Sequence, residues 1–368
     1  MKRVRMVVVD DSTLFRKVVR DVVASHPAVD VVGVAADGLQ AIEKIEQLEP
    51  DLVTLDMQMP NVDGLGVLRS IKSKNLSTGV IMLSSFTAQG AQETLQALEL
   101  GAFDFILKPR TASLEASIAE LQGTLLPKID AFTGTSTFTP TAAPVRACPL
   151  TAVNVPPVKR TPTPLTLATC FDKRQVIVIG VSTGGPSALS RLIPTLPADL
   201  PVPVAIVQHM PPLFTQSLAD DLNRASKLRV VEASHGMEFR AGTVFIAPGG
   251  KHMRIAGSFV APTVEITDDA PEKNCRPSVD YLFRSAAKLY GEGVTACVMT
   301  GMGDDGCDGA RIIKQARGRV IAQDASSCTV YGMPRVIIEN QLADEICPLD
   351  DLADSLLRAV GHRGVLCR

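Results

Sequence analysis

Polar residues of the types needed for acyl transfer follow three apolar runs in the second half of the chain. Ser182 lies in GVSTG, which fits the pattern G-x-S-x-G between a strand-like run and a helical pattern. His209 stands near the end of the next strand-like run, PVAIVQHM, and Asp304 and Asp305 lie in the glycine-rich segment TGMGDDGCDGA. In such a site the serine attacks a carbonyl, the histidine takes its proton and an acid orients the histidine. The pattern therefore favours a hydrolase with a Ser-His-Asp triad.

Other interpretations of these segments stay open. A glycine-rich turn between a strand and a helix also binds dinucleotides, but that use predicts an acidic residue where Gln208 and His209 stand. The acidic segment could instead cap the helix predicted from about Gly309. It does not fit a calcium-binding EF-hand, because the third position counted from Asp304 is Gly306 and the required glutamate is missing. The order Ser, His, Asp also differs from that of standard α/β-hydrolases.

Carboxylates, a hydroxyl and a lysine follow apolar runs in the first third of the chain. These residues are Asp10 and Asp11 after MVVV, Asp56 after LVTL, Ser84 after VIML, and Lys108 after FIL. Parallel strands present their carboxyl ends at one edge of the sheet, so we expect these side chains to converge. Converging carboxylates bind a hard cation such as Mg²⁺, and one of them can attack a phosphoryl donor while the metal and the lysine neutralise charge.

Alternating strand-like and helical patterns predict the elements that position these residues. Continuous apolar strands indicate mostly parallel sheets covered by helices on both faces. The first half fits a flavodoxin-like (βα)5 architecture, and the second half is predicted to be a doubly wound α/β domain. The predicted strands are Arg5–Val9, Val29–Ala35, Leu52–Leu55, Gly79–Leu83, Phe103–Leu107, Gln175–Gly180, Pro203–Gln208, Arg229–Glu232, Thr243–Ile246, Val294–Thr300 and Arg319–Gln323.

A change of composition divides the chain. Its 368 residues suggest two or three domains. From Phe132 to Phe171 there is no acidic residue, while threonine and proline dominate, which predicts a linker that leans toward polyproline II. The predicted domains are therefore residues 1–131 and 173–368, joined by a linker over residues 132–172.

The composition also argues against several classes of protein. A net charge of −2, no tryptophan and three tyrosines disfavour a nucleic-acid-binding surface. The basic N-terminus is followed by an apolar run, Met6–Val9, that is too short for a signal peptide, and no run approaches the ~18 residues of a membrane span. The eight cysteines include no CxxC pair, which predicts neither a zinc site nor a redox motif. We expect a soluble, cytoplasmic protein without membrane insertion.

The motifs VVVDDS, LDMQMPNVDG and GAFDFILKP resemble the response-regulator receiver domain over about residues 4–125. The resemblance implies that Asp56 is the phospho-acceptor and that Asp10 and Asp11 hold Mg²⁺ together with it. The residues that it implies for the phosphorylation switch are Ser84, Lys108 and Phe105. A receiver domain indicates regulation, so the output of the protein has to lie in the second half.

The second half resembles the catalytic domain of the chemotaxis protein-glutamate methylesterase (CheB) family. The motifs GVSTGGPSAL, VQHMPPLFTQSLA, APGGKHM, RPSVDYLF, TGMGDDG and YGMPR carry the resemblance over about residues 175–360. It implies Ser182 as nucleophile, His209 as base and Asp305 as orienting acid. The family loop reads GMGNDG, so Asp304 replaces an asparagine, and its charge could raise the pKa of His209.

Three further residues are weaker candidates for the same site. By position, backbone N–H groups near Thr183 and Met302 are predicted to form the oxyanion hole. Arg276 either contacts the substrate or pairs with a surface acid. We expect no cofactor at the hydrolytic site.

The two resemblances together imply the substrates, the products and the regulation of the enzyme. The enzyme would hydrolyse glutamate methyl esters on chemoreceptors, release methanol, and deamidate glutamines. The receiver domain would cover or misalign the site until a separate histidine kinase supplies the phosphoryl group for Asp56. The alternatives are another receiver-controlled serine esterase or amidase, a catalytically inactive regulated binding module, and a nucleotide-binding output domain.

Overall fold

A five-stranded parallel sheet forms the first part of the structure, a computed structural model that describes residues 3–110, 113–134 and 175–362. Its spatial order, β2-β1-β3-β4-β5, is the flavodoxin-like order predicted from the sequence. The strands are β1 (Val4–Val9), β2 (Val29–Ala35), β3 (Leu52–Asp56), β4 (Gly79–Ser84) and β5 (Asp104–Leu107). The helices are α1 (Thr13–Ala24), α2 (Gly38–Leu48), α3 (Gly64–Ser73), α4 (Ala88–Glu99) and α5 (Leu114–Thr133).

A seven-stranded sheet, parallel throughout, forms the second part. The strands of this part are β6 (Val176–Val181), β7 (Val204–Gln208), β8 (Arg229–Glu232), β9 (Thr243–Ile246), β10 (His252–Gly257), β11 (Pro262–Thr267), β12 (Val294–Val298), β13 (Arg319–Gln323) and β14 (Glu345–Cys347). Strands β10 and β11 form a separate antiparallel hairpin, and the sheet order is β14-β13-β12-β6-β7-β9-β8. The helices are α6 (Gly185–Leu192), α7 (Phe214–Ala225), α8 (Val279–Tyr290), α9 (Cys307–Gln315), α10 (Met333–Glu339) and α11 (Leu352–Ala359). The chain order reverses at β6, which creates a crevice at its carboxyl end.

Local sequence explains the element boundaries near this crevice. All six residues of β6 are buried, as expected for a central strand with helices on both faces. Ser278 caps α8 by accepting a hydrogen bond from the Tyr281 amide. Helix α6 instead begins after Gly184, whose φ of 77° lies in the left-handed region.

The predicted strands agree with the observed ones, with shifts of one or two residues at several ends. The sequence patterns did not predict the β10–β11 hairpin, β14, α10 or α11. Helix α5 includes Phe132 and Thr133, which composition had placed in the linker, and Phe132 packs edge-on against Phe103. The linker residues beyond 134 lie outside the described part of the chain. Among the described helices, none combines the length and apolarity that crossing a membrane requires.

Candidate active site

Ser182 stands at the carboxyl end of β6, between the ends of β7 and β12. Its amide donates a hydrogen bond to the Thr300 carbonyl over 3.0 Å, and the Gln208 side-chain amide donates to the Ser182 carbonyl over 2.9 Å. A Cβ atom placed on Gly301 would lie 2.7 Å from the Cβ of Ser182. The backbone around the predicted nucleophile is therefore fixed by both neighbouring strand ends.

His209 and Asp305 form a direct contact. His209 Nε2 lies 2.8 Å from Asp305 Oδ2, and Asp305 is buried. The Asp305 carboxylate also accepts hydrogen bonds from the amides of Val279 and Asp280 and from the Ser278 hydroxyl, at 2.7–2.9 Å. These donors lie at the start of α8, where exposed N–H groups favour negative charge. The arrangement can orient the histidine and stabilise its protonated form.

The charged forms of this pair stabilise each other. Burial disfavours the imidazolium of His209, but the hydrogen bond that His209 donates to Asp305 and the contact with Cys275 outweigh burial and raise the pKa of His209. Burial would raise the pKa of Asp305, whereas its hydrogen bonds with His209 and with backbone amides lower it. The histidine is therefore a stronger base than a free imidazole.

The second ring nitrogen of His209 is not hydrogen-bonded to Ser182. His209 Nδ1 lies 3.9 Å from Cys275 Sγ, and within the described residues no hydrogen bond joins Ser182 Oγ to the ring. Ser182, Thr183 and His209 nevertheless line the same cavity of ≈ 220 Å³. The structure therefore brings the three predicted triad residues to one site, but only the His209–Asp305 hydrogen bond is formed.

The N-terminal part contributes one wall of this cavity. Asp104, Phe105 and Leu107 from β5 line it together with residues of α5. Asp104 Oδ2 accepts a hydrogen bond from Thr183 Oγ1 over 2.7 Å and pairs with Lys128 of α5. The residue after the predicted nucleophile is therefore bonded to the other half of the molecule.

Packing extends this contact beyond the cavity. The rings of Phe105 and Phe214 stack with centroids 4.9 Å apart and planes at 7°. Ser187 Oγ of α6 donates to the Leu98 carbonyl of α4 over 2.9 Å. Buried residues of α4 and α7 belong to one continuous hydrophobic cluster. The motif that contains Asp104 predicts no role for it, because its partner Thr183 lies 79 positions away in the chain.

The three weaker candidates lie in the loops around Ser182. Thr183 follows Ser182 and is buried, and Met302 follows Gly301 in the loop between β12 and α9. Arg276 donates to the main-chain carbonyls of Asp268 and Asp269 at 3.3 and 3.2 Å. Within the described part of the chain, its guanidinium contacts backbone and no acidic side chain, and its role toward a substrate stays a prediction.

Lys273 pairs with Asp304, the acidic residue that replaces the family's asparagine in the β12–α9 loop. Its Nζ lies 3.4 Å from Asp304, 2.9 Å from the buried Asp280 and 3.1 Å from Asp308. Asp304 is thus one of three carboxylates around a single ammonium. His252 is fully buried and bonded to backbone on both ring nitrogens, so it is structural.

The N-terminal carboxylates converge as predicted. Ligand atoms of Asp10, Asp11 and Asp56 lie within 4.8 Å of one another. Lys108 Nζ lies 2.7 Å from Asp10 Oδ2 and 2.7 Å from Asp56 Oδ2. Burial raises the pKa of Asp56 to about 6, and Lys108 opposes this rise. An all-oxygen set of carboxylates fits Mg²⁺.

Ser84 and Phe105 each contact a neighbouring helix. The Ser84 hydroxyl accepts from Thr94 Oγ1 over 2.7 Å and donates to the Gly90 carbonyl, so it is bonded to α4. Phe105 is buried against Phe214. Of the three predicted switch residues, Ser84 therefore contacts a helix that packs on the second half of the chain, and Phe105 contacts the second half directly.

Comparisons with known proteins agree with this architecture. Residues 6–119 match the response regulator receiver domain, and residues 177–356 match the CheB methylesterase family. The chain is 41% identical to a protein-glutamate methylesterase/protein-glutamine glutaminase of Desulfotalea psychrophila, with 98% of this chain and 99% of that protein covered. A protein of the same name from Symbiobacterium thermophilum is 42% identical, with 98% of each chain covered.

A solved structure supports the same assignment for the second half. The catalytic domain of Thermotoga maritima CheB methylesterase matches with a TM-score of 0.50 and 40% identity, covering 50% of this chain and 98% of that one. The receiver domain, the methylesterase domain and the full-length relatives lead to one conclusion. The chain belongs to the family of protein-glutamate methylesterases/protein-glutamine glutaminases that carry a receiver domain.

Proposed function

We propose that the protein is a phosphorylation-regulated serine hydrolase acting on chemoreceptors in bacterial chemotaxis. It converts glutamate methyl esters to glutamate with release of methanol, and glutamines to glutamate with release of ammonia. The observation that carries the proposal is the hydrogen bond between His209 and the buried Asp305, at the cavity that Ser182 also lines, in a chain of this family. The place of action is the cytoplasm.

The site residues have distinct roles in this reaction. Ser182 attacks the γ-carbonyl carbon of the ester, and His209 accepts the serine proton and passes it to the departing methoxide. Since Nε2 contacts Asp305, Nδ1 is the ring nitrogen available to Ser182. Water then attacks the acyl-enzyme, with His209 again as base, and Asp305 keeps the ring oriented. Backbone N–H groups of Thr183 and Met302 stabilise the oxyanion.

The receiver part restrains this site until Asp56 is phosphorylated. A histidine kinase of the chemotaxis type is the phosphodonor. Asp10, Asp11 and Asp56 would hold Mg²⁺, which would supply positive charge for the phosphoryl oxygens, while Lys108 pairs with the phosphoryl group. The rearrangement releases the Phe105–Phe214 stack and the Asp104–Thr183 bond, so the cavity opens to the receptor.

Methanol release from methylated chemoreceptor membranes tests the proposal. Wild type is compared with Ser182→Ala and with Ser258→Ala, whose serine lies in the turn between β10 and β11. We expect release that requires Ser182, is unaffected by Ser258→Ala, and rises with acetyl phosphate and Mg²⁺. Ser182-dependent turnover of p-nitrophenyl esters without methanol release would indicate a different esterase. Binding to receptors without any turnover would indicate a regulated binding module.

A further inference from the structure

We propose that His209 and Cys275 form a binding site for a thiophilic divalent cation such as Zn²⁺, and that occupancy of this site inhibits the hydrolase. The absence of CxxC pairs predicts no zinc site, but ligands distant in the chain escape such a pattern. His209 and Cys275 are 66 positions apart, and only the fold brings them into contact. The binding site stands on geometry alone, whereas the inhibition rests on the proposed function of His209.

The spacing of the two ligand atoms fits a tetrahedral metal. His209 Nδ1 and Cys275 Sγ are 3.9 Å apart. Bonds of about 2.3 Å from Zn²⁺ to sulfur and about 2.0–2.1 Å to nitrogen, at a tetrahedral angle, place the two ligand atoms about 3.6 Å apart. A side-chain adjustment of a few tenths of an ångström therefore accommodates the ion. Binding displaces the thiol proton, and water completes the coordination shell.

Asp305 holds Nε2 of His209 and leaves Nδ1 as the nitrogen that can bind a metal. Ligand atoms of His209, Cys275 and Asp305 lie within 4.8 Å of one another. The Asp305 carboxylate already accepts hydrogen bonds from Ser278 Oγ and from two backbone amides besides its contact with His209 Nε2. A metal-bound histidine commonly donates its other N–H to a carboxylate in this way. We therefore assign Asp305 as the orienting partner and His209 Nδ1 as the ligand.

The loop that carries Cys275 is held in place before any ion binds. The amide and carbonyl of Glu272 exchange hydrogen bonds with those of Cys275, which closes a tight turn. Its central residues, Lys273 and Asn274, have φ angles of 49° and 62°. Lys273 also bonds to Asp280 across to α8. The half-buried thiol is thus fixed toward the histidine, and little ordering is needed on binding.

Occupancy has a defined chemical consequence. A cation bound to His209 Nδ1 takes the lone pair that would accept the Ser182 proton, so the first step of ester hydrolysis cannot proceed. Mg²⁺ is not expected at this position, because it prefers oxygen ligands. Metal control of the hydrolytic site is therefore separate from the Mg²⁺-dependent phosphorylation of Asp56.

Cobalt absorption of the full-length protein tests the site without relying on activity. Chelator-treated wild type titrated with Co²⁺ is expected to develop a thiolate-to-cobalt band that Zn²⁺ removes and Mg²⁺ does not. Cys275→Ser and His209→Ala are each expected to lose the band, while Cys328→Ser, at another half-buried free cysteine, retains it. Circular dichroism verifies that each variant is folded. A band that persists unchanged in both Cys275→Ser and His209→Ala, or its absence from wild type, would overturn the proposal.

Inhibition is measured separately, relative to the metal-free rate of each variant. We expect the Zn²⁺ concentration for half-inhibition to rise at least tenfold in Cys275→Ser compared with Cys328→Ser. Equal sensitivity of these two variants would refute control through this site. Ser182→Ala is expected to retain the cobalt band. A band in wild type that shows no methanol release would support the metal site and reject the proposed function.

Discussion

At the scale of single residues, the hydrogen bond between His209 and Asp305 determines the expected pH dependence. Asp305 raises the pKa of His209, so the neutral, basic form predominates only at a pH above the ~6.5 of a free histidine. Activity is therefore expected to increase with pH through a limb that lies above pH ~6.5. Asp305→Asn removes the main cause of the raised His209 pKa, so this limb of the pH profile is expected to move to lower pH.

The same variant is expected to lose most of its activity. An asparagine cannot stabilise the imidazolium or hold the same tautomer, and the loss in kcat/KM should be on the order of 10³–10⁴. The pH profile of methanol release measures both effects, with Asp268→Asn at an exposed aspartate as control. A limb that keeps its position in Asp305→Asn would show that Asp305 does not set the basicity of His209.

At the scale of elements, the turn between β6 and α6 depends on a glycine. Gly184 has a φ of 77°, and a Cβ there would lie 2.3 Å from Thr329 Oγ1. Gly236 has a similar φ of 82°, but an added Cβ there would meet no atom within 4 Å. It is therefore a matched control that tests backbone strain without a steric clash. Gly236→Ala is expected to cost about 1 kcal/mol of unfolding free energy from backbone strain. Gly184→Ala, which adds a steric clash, is expected to cost about 3 kcal/mol in urea denaturation.

If Gly184→Ala and Gly236→Ala lose the same unfolding free energy, the structure relaxes around the added methyl group at Gly184. A lowered methanol-release rate in Gly184→Ala, measured well below its unfolding midpoint, would indicate that the turn also positions Ser182. The glycine-rich turn that contains Ser182 was recognised in the sequence. Its contact with Thr329 required the structure.

Lys273 joins three elements, and its loss is expected to destabilise the protein. The ammonium contacts carboxylates at the starts of α8 and α9 and in the loop between β12 and α9. Lys273→Met leaves the buried Asp280 carboxylate without its cation, at a cost of about 2–3 kcal/mol. Asp304→Asn is expected to cost less than about 0.5 kcal/mol, because its carboxylate is partly exposed.

Urea denaturation measures these differences, and Lys273→Met/Asp280→Asn is the informative double variant. Asparagine retains an oxygen that accepts from the Gly309 amide but removes the unpaired charge. Stability should therefore recover in part. If the double variant is no more stable than Lys273→Met, the charge at Asp280 is not the cause of the loss.

Local sequence patterns predicted most elements but not all. Strands such as β6 and β12 are continuous apolar runs because helices cover both faces, so their pattern is clear. The β10–β11 hairpin mixes buried and half-exposed positions, and its short segments give no continuous run. Asp56 and Ser182 were recognised because each lies inside a local motif. Cys275 and Asp104 were missed because their partners are distant in the chain.

At the scale of the whole molecule, we expect the contact between the two halves to restrict access to Ser182. Asp104 is buried and bonds to Thr183 Oγ1, while Phe105 stacks on Phe214. Asp104→Ala removes the polar contact and leaves Thr183 and Lys128 without this partner. Because the Asp104–Thr183 hydrogen bond exists only in the closed arrangement, its loss destabilises the closed arrangement relative to the open one.

Asp104→Ala is therefore expected to raise methanol release several-fold without phosphodonor, and to reduce the further increase produced by acetyl phosphate. A shift of about 1.4 kcal/mol between closed and open states corresponds to a tenfold change in their ratio. Asp130→Asn, at an α5 aspartate that pairs with His26 within the receiver part, is the matched control. Unchanged basal release in Asp104→Ala, with full stimulation retained, would show that this contact does not restrain the hydrolase. A higher basal rate with stimulation lost would place the restraint at β5, where the receiver sheet meets the nucleophile turn.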